Sequence, residues 1–418
     1  MGCLQFIDTS NTISMKRTYF SFLLLLFFCI KVHSQGPADP VKIMVDPSAA
    51  MGGTSSQIFD SVEFIPLETS KESLFGSIWK MEVMDDYFII SDQDTKSILV
   101  FQKNGKFISR IDKSVLKADP GLNFTVDQAN KLIVTRMVNS PNTLFWLDLR
   151  GNIVKRMSLD DILYSVGSMG DSVLLISPWN YSEKAPKADS MGYAIKYFKD
   201  QKIVKELLPV PIKPFRITMT TSIPRPNYFY SSGQKGSLIF VGENYDYSIR
   251  VLNRDGIQRV YKLVFPRDLS LPPDFLTNDD YRPKEEQYLK ENLKKITSLR
   301  NVYLMNDHLF FETINSSFFN NDRYLSCNLR TGNIRSLERI SSDSSSCFLP
   351  LMTGQPGSIV GCDGKNLYSF VSSLELFQAW EANKSKQPNY PSALQKYFNS
   401  QNKESNLVLV KIKFKENM

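Results

Sequence analysis

The sequence predicts an all-β fold: a six-bladed β-propeller of four-stranded antiparallel blades, closed by an N-terminal strand and carrying two short helical insertions. Three observations predict it. A hairpin of two β-rich runs around a polar turn recurs five times, a further strand pair precedes each copy, and the last unit lacks an outer strand while a spare β-rich run stands near the N-terminus.

The hairpins occupy 97–108, 144–154, 193–204, 248–258 and 324–334. Turns such as Asn104-Gly105, Arg150-Gly151 and Thr331-Gly332 supply a residue that accepts positive φ, and the β-branched and aromatic flanks suit a pleated, half-buried surface. The preceding pairs turn at Asp85-Asp86, 127–130, 169–171, 233–236 and Asn306-Asp307, so each unit reads as a four-stranded meander. The spacing from Gly105 to Gly151 lies close to the roughly 40–45 residues of a propeller blade. The wider spacing from Gly256 to Gly332 holds an insertion.

The sixth unit has inner strands in 358–370 and 406–414, but the chain ends before an outer one. The run Ser61-Val-Glu-Phe-Ile-Pro-Leu-Glu68 fits that place, where it would close the ring and cover a sheet edge, and Pro66 is tolerated on an outermost strand. Two segments interrupt the period, near 267–299 and 373–405. In the first, Leu289, Leu293 and Ile296 share a helix face, with Glu286–Lys290 and Glu291–Lys295 at i,i+4 spacing. In the second, Leu374, Phe377 and Trp380 form one face, and Leu394, Tyr397 and Phe398 another. Such faces either pack on the propeller or offer a groove to a partner.

Met15-Lys16-Arg17 followed by an apolar run over 19–30 and the small Ser34 has the order of a secretory signal peptide. Residues 1–34 are therefore expected to be removed, 35–56 to be an N-terminal linker without a blade position, and 57–418 to form one propeller domain. The apolar run is shorter than the roughly 20 residues of a membrane-spanning helix, so no transmembrane span is expected in the mature protein. Phe28 before Cys29 disfavours a lipid anchor; a periplasmic or secreted protein is expected.

With 42% hydrophobic and 12% aromatic residues among 418, the chain can bury a large core. Its net charge of +7 is small and its acidic and basic residues are interspersed, which argues against nucleic acid as a partner. Of five cysteines, Cys327, Cys347 and Cys362 remain after signal removal. A hairpin of 348–352 with 358–361 would set Cys347 opposite Cys362, giving either a cross-strand disulfide or free buried thiols. His308, in the alternating run Asp307-His-Leu-Phe-Phe-Glu312, reads as a half-exposed strand residue, so neither a His/Cys zinc site nor a histidine-based triad stands out.

The runs Phe59-Asp-Ser-Val-Glu-Phe-Ile-Pro-Leu-Glu-Thr69, Ile98-Leu-Val-Phe-Gln-Lys-Asn-Gly-Lys-Phe107 and Asn406-Leu-Val-Leu-Val410 resemble a family of exported six-bladed propellers abundant in Bacteroidota, over most of 57–415. The resemblance implies a fold and an export route, with little chemistry. Where such proteins commonly carry a Gly-x-Gly-Pro-Gly-Glu loop after the first blade, this chain has Lys113-Ser-Val-Leu-Lys-Ala-Asp-Pro-Gly121.

No nucleophile–base pair, phosphate loop or metal-spaced cluster stands out, so a binding or scaffold module for a glycan, peptide or envelope protein is expected, without a cofactor. The loops between second and third strands hold Asp92, Asp94, Arg136, Trp179, Asn180, Tyr181, Glu243, Asn244, Tyr245, Asp246 and Phe318, where aromatics beside amides and acids could hold a sugar or a peptide side chain. The alternative is a metal-dependent lactonase- or lyase-like propeller with Ca²⁺ at the channel mouth, for which Glu82 and Asp127 are the acids nearest predicted inner strands.

Overall fold

Alternating apolar residues and tight turns bring successive strands together as antiparallel meanders, and six such sheets surround one axis. The computed structural model describes residues 39–416, apart from 171–172, 179–180, 183–189, 201, 212, 215–227, 243–244, 276–280, 282–283 and 316–321. The signal-peptide assignment and the expected cleavage site lie outside these residues. Blade 1 comprises Lys80–Val83, Tyr87–Asp92, Ser97–Gln102 and Phe107–Ile111, and blade 2 Thr125–Asp127, Leu132–Met137, Ser140–Leu147 and Ile153–Ser158. Blade 3 comprises Leu163–Ser168, Leu174–Pro178, Met191–Lys199 and Lys202–Pro211. Blade 4 is built on Phe229–Ser231, Leu238–Val241, Ser248–Asn253 and Gly256–Val264, and blade 5 on Ile296–Met305, His308–Asn315, Tyr324–Asn328 and Ile334–Ser341.

Blade 6 joins the two ends of the chain. Ile359–Cys362, Leu367–Val371 and Val408–Phe414 are followed in the sheet by Phe59–Pro66, which runs antiparallel to Val408–Phe414 with Phe64 opposite Val410 and Val62 opposite Ile412. This is the expected closure. Gly105 stands beside it with φ of 85°, and a Cβ there would lie 2.0 Å from the Pro66 carbonyl oxygen, so this turn needs glycine for both conformation and space.

Neighbouring blades share apolar layers. Met84, Ile89, Ile98 and Val100 of blade 1 pack with Phe124, Ile133 and Leu147 of blade 2, and Ile65 and Leu409 of blade 6 pack with Phe88 and Phe101 of blade 1.

Four expectations need correction. The stretch 35–56 is not simply a linker: Val41–Met44 adds a parallel fifth strand to blade 4 and Met51–Thr54 another to blade 5, because the outer strands Gly256–Val264 and Ile334–Ser341 have a free edge that an extended chain can pair with. The helix expected through Leu299 covers only Glu285–Glu291. Its Glu286–Lys290 pair forms at 2.7 Å, but Leu293 is 48% exposed and Ile296 begins the inner strand of blade 5, where ladder pairing with His308–Asn315 outweighs helical periodicity.

In the second insertion, Ser373–Ala382 and Ser392–Ser400 are helical, but Leu374 faces outward; Leu376 and Phe377 are the buried apolar residues of the first helix. Leu394, Tyr397 and Phe398 are buried as expected, and Trp380 stacks on Phe398 at 5.0 Å. The face is spent on packing within the molecule. Finally, the 348–352 strand does not form: Cys347 ends a one-turn helix in the left-handed region, whereas Cys362 lies on an inner strand paired with Leu367–Val371.

Cys347 and Cys362 are accordingly free thiols, as is Cys327. Burial pushes the Cys362 thiol up to about 12. In the mature chain, Ellman's reagent at pH 8 is expected to titrate Cys347 rapidly and the other two only after denaturation; a single thiol in the denatured, unreduced protein would contradict the assignment.

Candidate binding face

The inner strands enter the axis on the same face as the turns between second and third strands. There the inner strands of blades 1, 4, 5 and 6 wall a cavity of ≈ 230 Å³, bordered by Trp79, Lys80, Glu82, Tyr230, Arg300 and Gly357 among others.

Its best-defined wall comes from blade 5. The ladder between Ile296–Met305 and His308–Asn315 slips between Arg300 and Tyr303, and Asn301 adopts a φ of 49°, a left-handed conformation that asparagine tolerates better than most residues. This bulge turns Arg300 and Asn301 together onto Glu312. Glu312 is 0% exposed and accepts from Arg300 Nε at 2.7 Å, Arg300 Nη2 at 2.9 Å, Asn301 Nδ2 at 2.8 Å and the Gly357 N–H at 3.1 Å. A fully buried carboxylate with four donors, two of them from one bidentate guanidinium, is internally satisfied. Arg300 thereby stands fixed at the cavity wall with its charge balanced.

On the blade 1 wall, Lys80 and Glu82 project together from the inner strand, as residues two apart must, and pair at 2.9 Å. Lys80 also donates to the Phe124 carbonyl oxygen. Trp79 donates from Nε1 to Asn123 Oδ1 at 3.1 Å, and Asn123 Nδ2 donates to the Tyr164 carbonyl at 3.1 Å, so blades 1, 2 and 3 are tied together around the mouth. Tyr230 meets Tyr303 edge to face at 5.9 Å, and Tyr164 stacks on Tyr228 at 4.7 Å. The mouth is therefore aromatic and polar, with its Lys80 and Arg300 charges paired within the protein.

The sequence-predicted ligand-binding residues that the structure describes do not line that cavity. Asp92 is fully buried and accepts from the backbone of Ser77 at 3.0 Å and Thr95 at 3.0 Å, stapling the blade 1 turn to the entry of its inner strand. Burial raises its pKa, but hydrogen bonds from Thr95, Ser77 and Asp94 outweigh this and hold it below the usual carboxylate range. Asp94 is exposed on the same turn. Tyr245 donates to Glu285 at 2.5 Å and meets Phe275 at 5.3 Å, while Asp246 pairs with Arg250 at 2.9 Å and Lys262 at 3.3 Å, so both anchor blade 4 and its insertion.

Arg136 lies between blades 2 and 3 beside Asn123 and Tyr164. Trp179, Asn180, Glu243, Asn244, Phe318 and the side chain of Tyr181 lie outside the described residues.

The two acids of the metal reading are placed apart in role: Glu82 is paired with Lys80, and Asp127 accepts from Asn130 at the turn after its strand, at the other end of the blade. Among the described residues, no three His, Cys, Asp or Glu side chains gather as a metal site. His308 is buried rather than half-exposed, with its Nε2 3.2 Å from Asn328 Nδ2, because both faces of its strand are covered. Residues missed from sequence, chiefly Trp79, Tyr230, Arg300 and Asn301, share one signal: polar or aromatic side chains within an innermost strand or, for Trp79, just before one. No helix among the described residues is long and apolar enough to cross a membrane.

No curated protein matches this chain. Among solved structures it is similar to a "putative exported protein" of Bacteroides fragilis, at 14% identity and a TM-score of 0.64, with 90% of this chain and 100% of that one covered. It also aligns with a member of the DUF4221 family from Bacteroides vulgatus, at 12% identity and a TM-score of 0.45, covering 85% of this chain and 98% of that one. The first likeness supports the propeller fold. The family model described as "Domain of unknown function (DUF4934)" matches residues 44–413, nearly the whole propeller, and the chain belongs to that family.

Proposed function

We propose that this protein is an exported binding module that holds a saccharide at the mouth of its central channel. The observation that carries the reading is the bulge at Asn301, which spends a strained backbone conformation on fixing Arg300 and Asn301 at the cavity wall. Arg300 has Nε and Nη2 committed to Glu312, leaving Nη1 as a donor without a protein acceptor among the described residues. Trp79, only half-buried, offers ring surface at the same cavity, which the buried Tyr230 also borders. Fixed donors beside aromatic rings suit sugar hydroxyls and the apolar faces of sugar rings.

The cavity is below the roughly 300–1,000 Å³ of drug-sized sites, so it accommodates one ring of a longer ligand lying on the face. Paired charges favour binding over proton-transfer chemistry, which needs a group poised to change protonation. Export is supported by the basic and apolar order of residues 15–34 and by the name of a similarly folded protein.

Screening the mature chain against oligosaccharide and peptide arrays is expected to return saccharides, with binding lost by at least about tenfold in Trp79→Ala, the scale of one stacking contact together with its area burial. Peptide hits alone, or saccharide binding indifferent to Trp79→Ala, would contradict the proposal.

A further inference from the structure

A strand at the rim of a sheet leaves every second N–H and C=O without a ladder partner, and each blade of a propeller ends in one. Here the chain itself pairs two of these edges, with Val41–Met44 on blade 4 and Met51–Thr54 on blade 5. On blade 5 the basic residues of the outer strand hold the N-terminal segment in place. Arg335 donates from Nη1 to the Gly52 carbonyl at 3.2 Å, and Arg339 from Nη1 to the Ala50 carbonyl at 2.6 Å. Helix Ser392–Ser400 packs against the outer strand of blade 6. On blade 1, Glu68 accepts from the Phe107 N–H at 3.0 Å and Arg110 donates to the Leu74 carbonyl. The outer strand of blade 3 carries Pro209 and Pro211 and turns left-handed at Leu208, with φ of 59°, which interrupts pairing.

Blade 2 differs. Its outer strand Ile153–Ser158 contains no proline, and no further strand pairs with it among the described residues. Ile153 is 50% and Val154 60% exposed, and Lys155, Arg156 and Ser158 are exposed as well. The Leu159 N–H donates to the Asn142 carbonyl at 2.8 Å, so by antiparallel alternation the N–H groups of Met157 and Lys155 point into the blade and those of Arg156 and Ser158 point out. Lys155 and Arg156 stand on opposite faces of the strand. Lys155 lies over the Trp146 ring at 4.6 Å, and neither cation forms an ion pair among the described residues.

We propose that this edge is a docking site for an extended acidic segment of a partner protein, which adds to blade 2 as a fifth strand. The segment makes main-chain bonds to Arg156 and Ser158, sets carboxylates beside Lys155 and Arg156, and rests apolar residues on Ile153 and Val154. Charge decides the occupant. Lysine and arginine repel a second copy of the same edge and any basic strand, whereas opposite charges across a strand pair attract. The edge lies at the rim, away from the central mouth, so the proposal is independent of the saccharide reading.

The test titrates the mature chain, by fluorescence polarisation, with labelled octapeptides that alternate glutamate with valine, lysine with valine, and glutamate with proline. The third keeps the charge but adds poorly as a strand. The glutamate–valine peptide is expected to bind, and the other two at least about tenfold more weakly. The double variant Lys155→Glu/Arg156→Glu changes only exposed side chains. It should reverse the preference, favouring the lysine–valine peptide by about tenfold, the scale of two cross-strand charge pairs switched in sign. Bound glutamate–valine peptide should also slow hydrogen exchange at the Arg156 and Ser158 amides.

Binding of no peptide at millimolar concentration, equal affinity for the glutamate–valine and glutamate–proline peptides, or an unchanged preference in the double variant would overturn the inference. So would protection that appears on another blade and spares Arg156 and Ser158. A wild-type dimer that the double variant abolishes would give the edge to a second copy and overturn it too.

Discussion

Deleting residues 57–69 is expected to leave no cooperatively folded protein. Phe59, Phe64, Ile65 and Leu67 are all buried, and at about 1.5–3 kcal/mol for each buried apolar side chain their joint loss approaches the 5–15 kcal/mol total stability of an ordinary domain. The deletion also strips Val408–Phe414 of its outer partner and opens the seam between the first and last blades. Deletion of 35–45 removes the parallel strand on blade 4 and the buried Ile43 and Val45, so it should lower the midpoint measurably while preserving a folded ring. Phe64→Ala gives a graded test within a foldable chain, with an expected cost of about 3–5 kcal/mol by urea unfolding. A soluble 57–69 deletion with the wild-type midpoint would contradict the closure.

The second large effect is expected at Glu312. Glu312→Gln leaves Arg300 buried without its counter-charge, which costs about 3–5 kcal/mol. Replacing both partners, as Arg300→Met with Glu312→Leu, should recover much of that loss, because the desolvation cost disappears with the charges. The double variant should nevertheless bind no saccharide at the mouth, since the fixed donor has gone. If Glu312→Gln unfolds at the wild-type urea concentration, the four-donor network does not hold the bulge.

The ring closure was legible because it needed only a count of strands, and Ser61-Val-Glu-Phe-Ile-Pro-Leu-Glu68 had no other place to go. The five glycine or polar hairpins were legible because each turn chemistry is local. The parallel strands Val41–Met44 and Met51–Thr54 were not: they are short, the second contains Gly52 and Gly53, and their pairing depends on which outer edges the finished ring leaves open. Lys284–Leu299 shows the opposite failure, where i,i+4 charge pairs and apolar spacing describe a helix whose last residues are claimed by the tertiary ladder.

For the candidate site, turn composition pointed to the face that carries the proposed mouth, but to residues that mostly hold their own loops, such as Asp92 and Asp246. The residues at the cavity sit on inner strands, and the bulge that aims Arg300 has no sequence signature beyond an asparagine that accepts positive φ.

A crystal structure of the mature chain with the tightest saccharide from the array tests saccharide binding at the mouth most directly. A sugar ring is expected in the central mouth, within hydrogen-bond distance of Arg300 Nη1 and against Trp79. A ligand seated on the opposite face of the ring, or on the outer edges of the blades with the mouth unchanged, would contradict it.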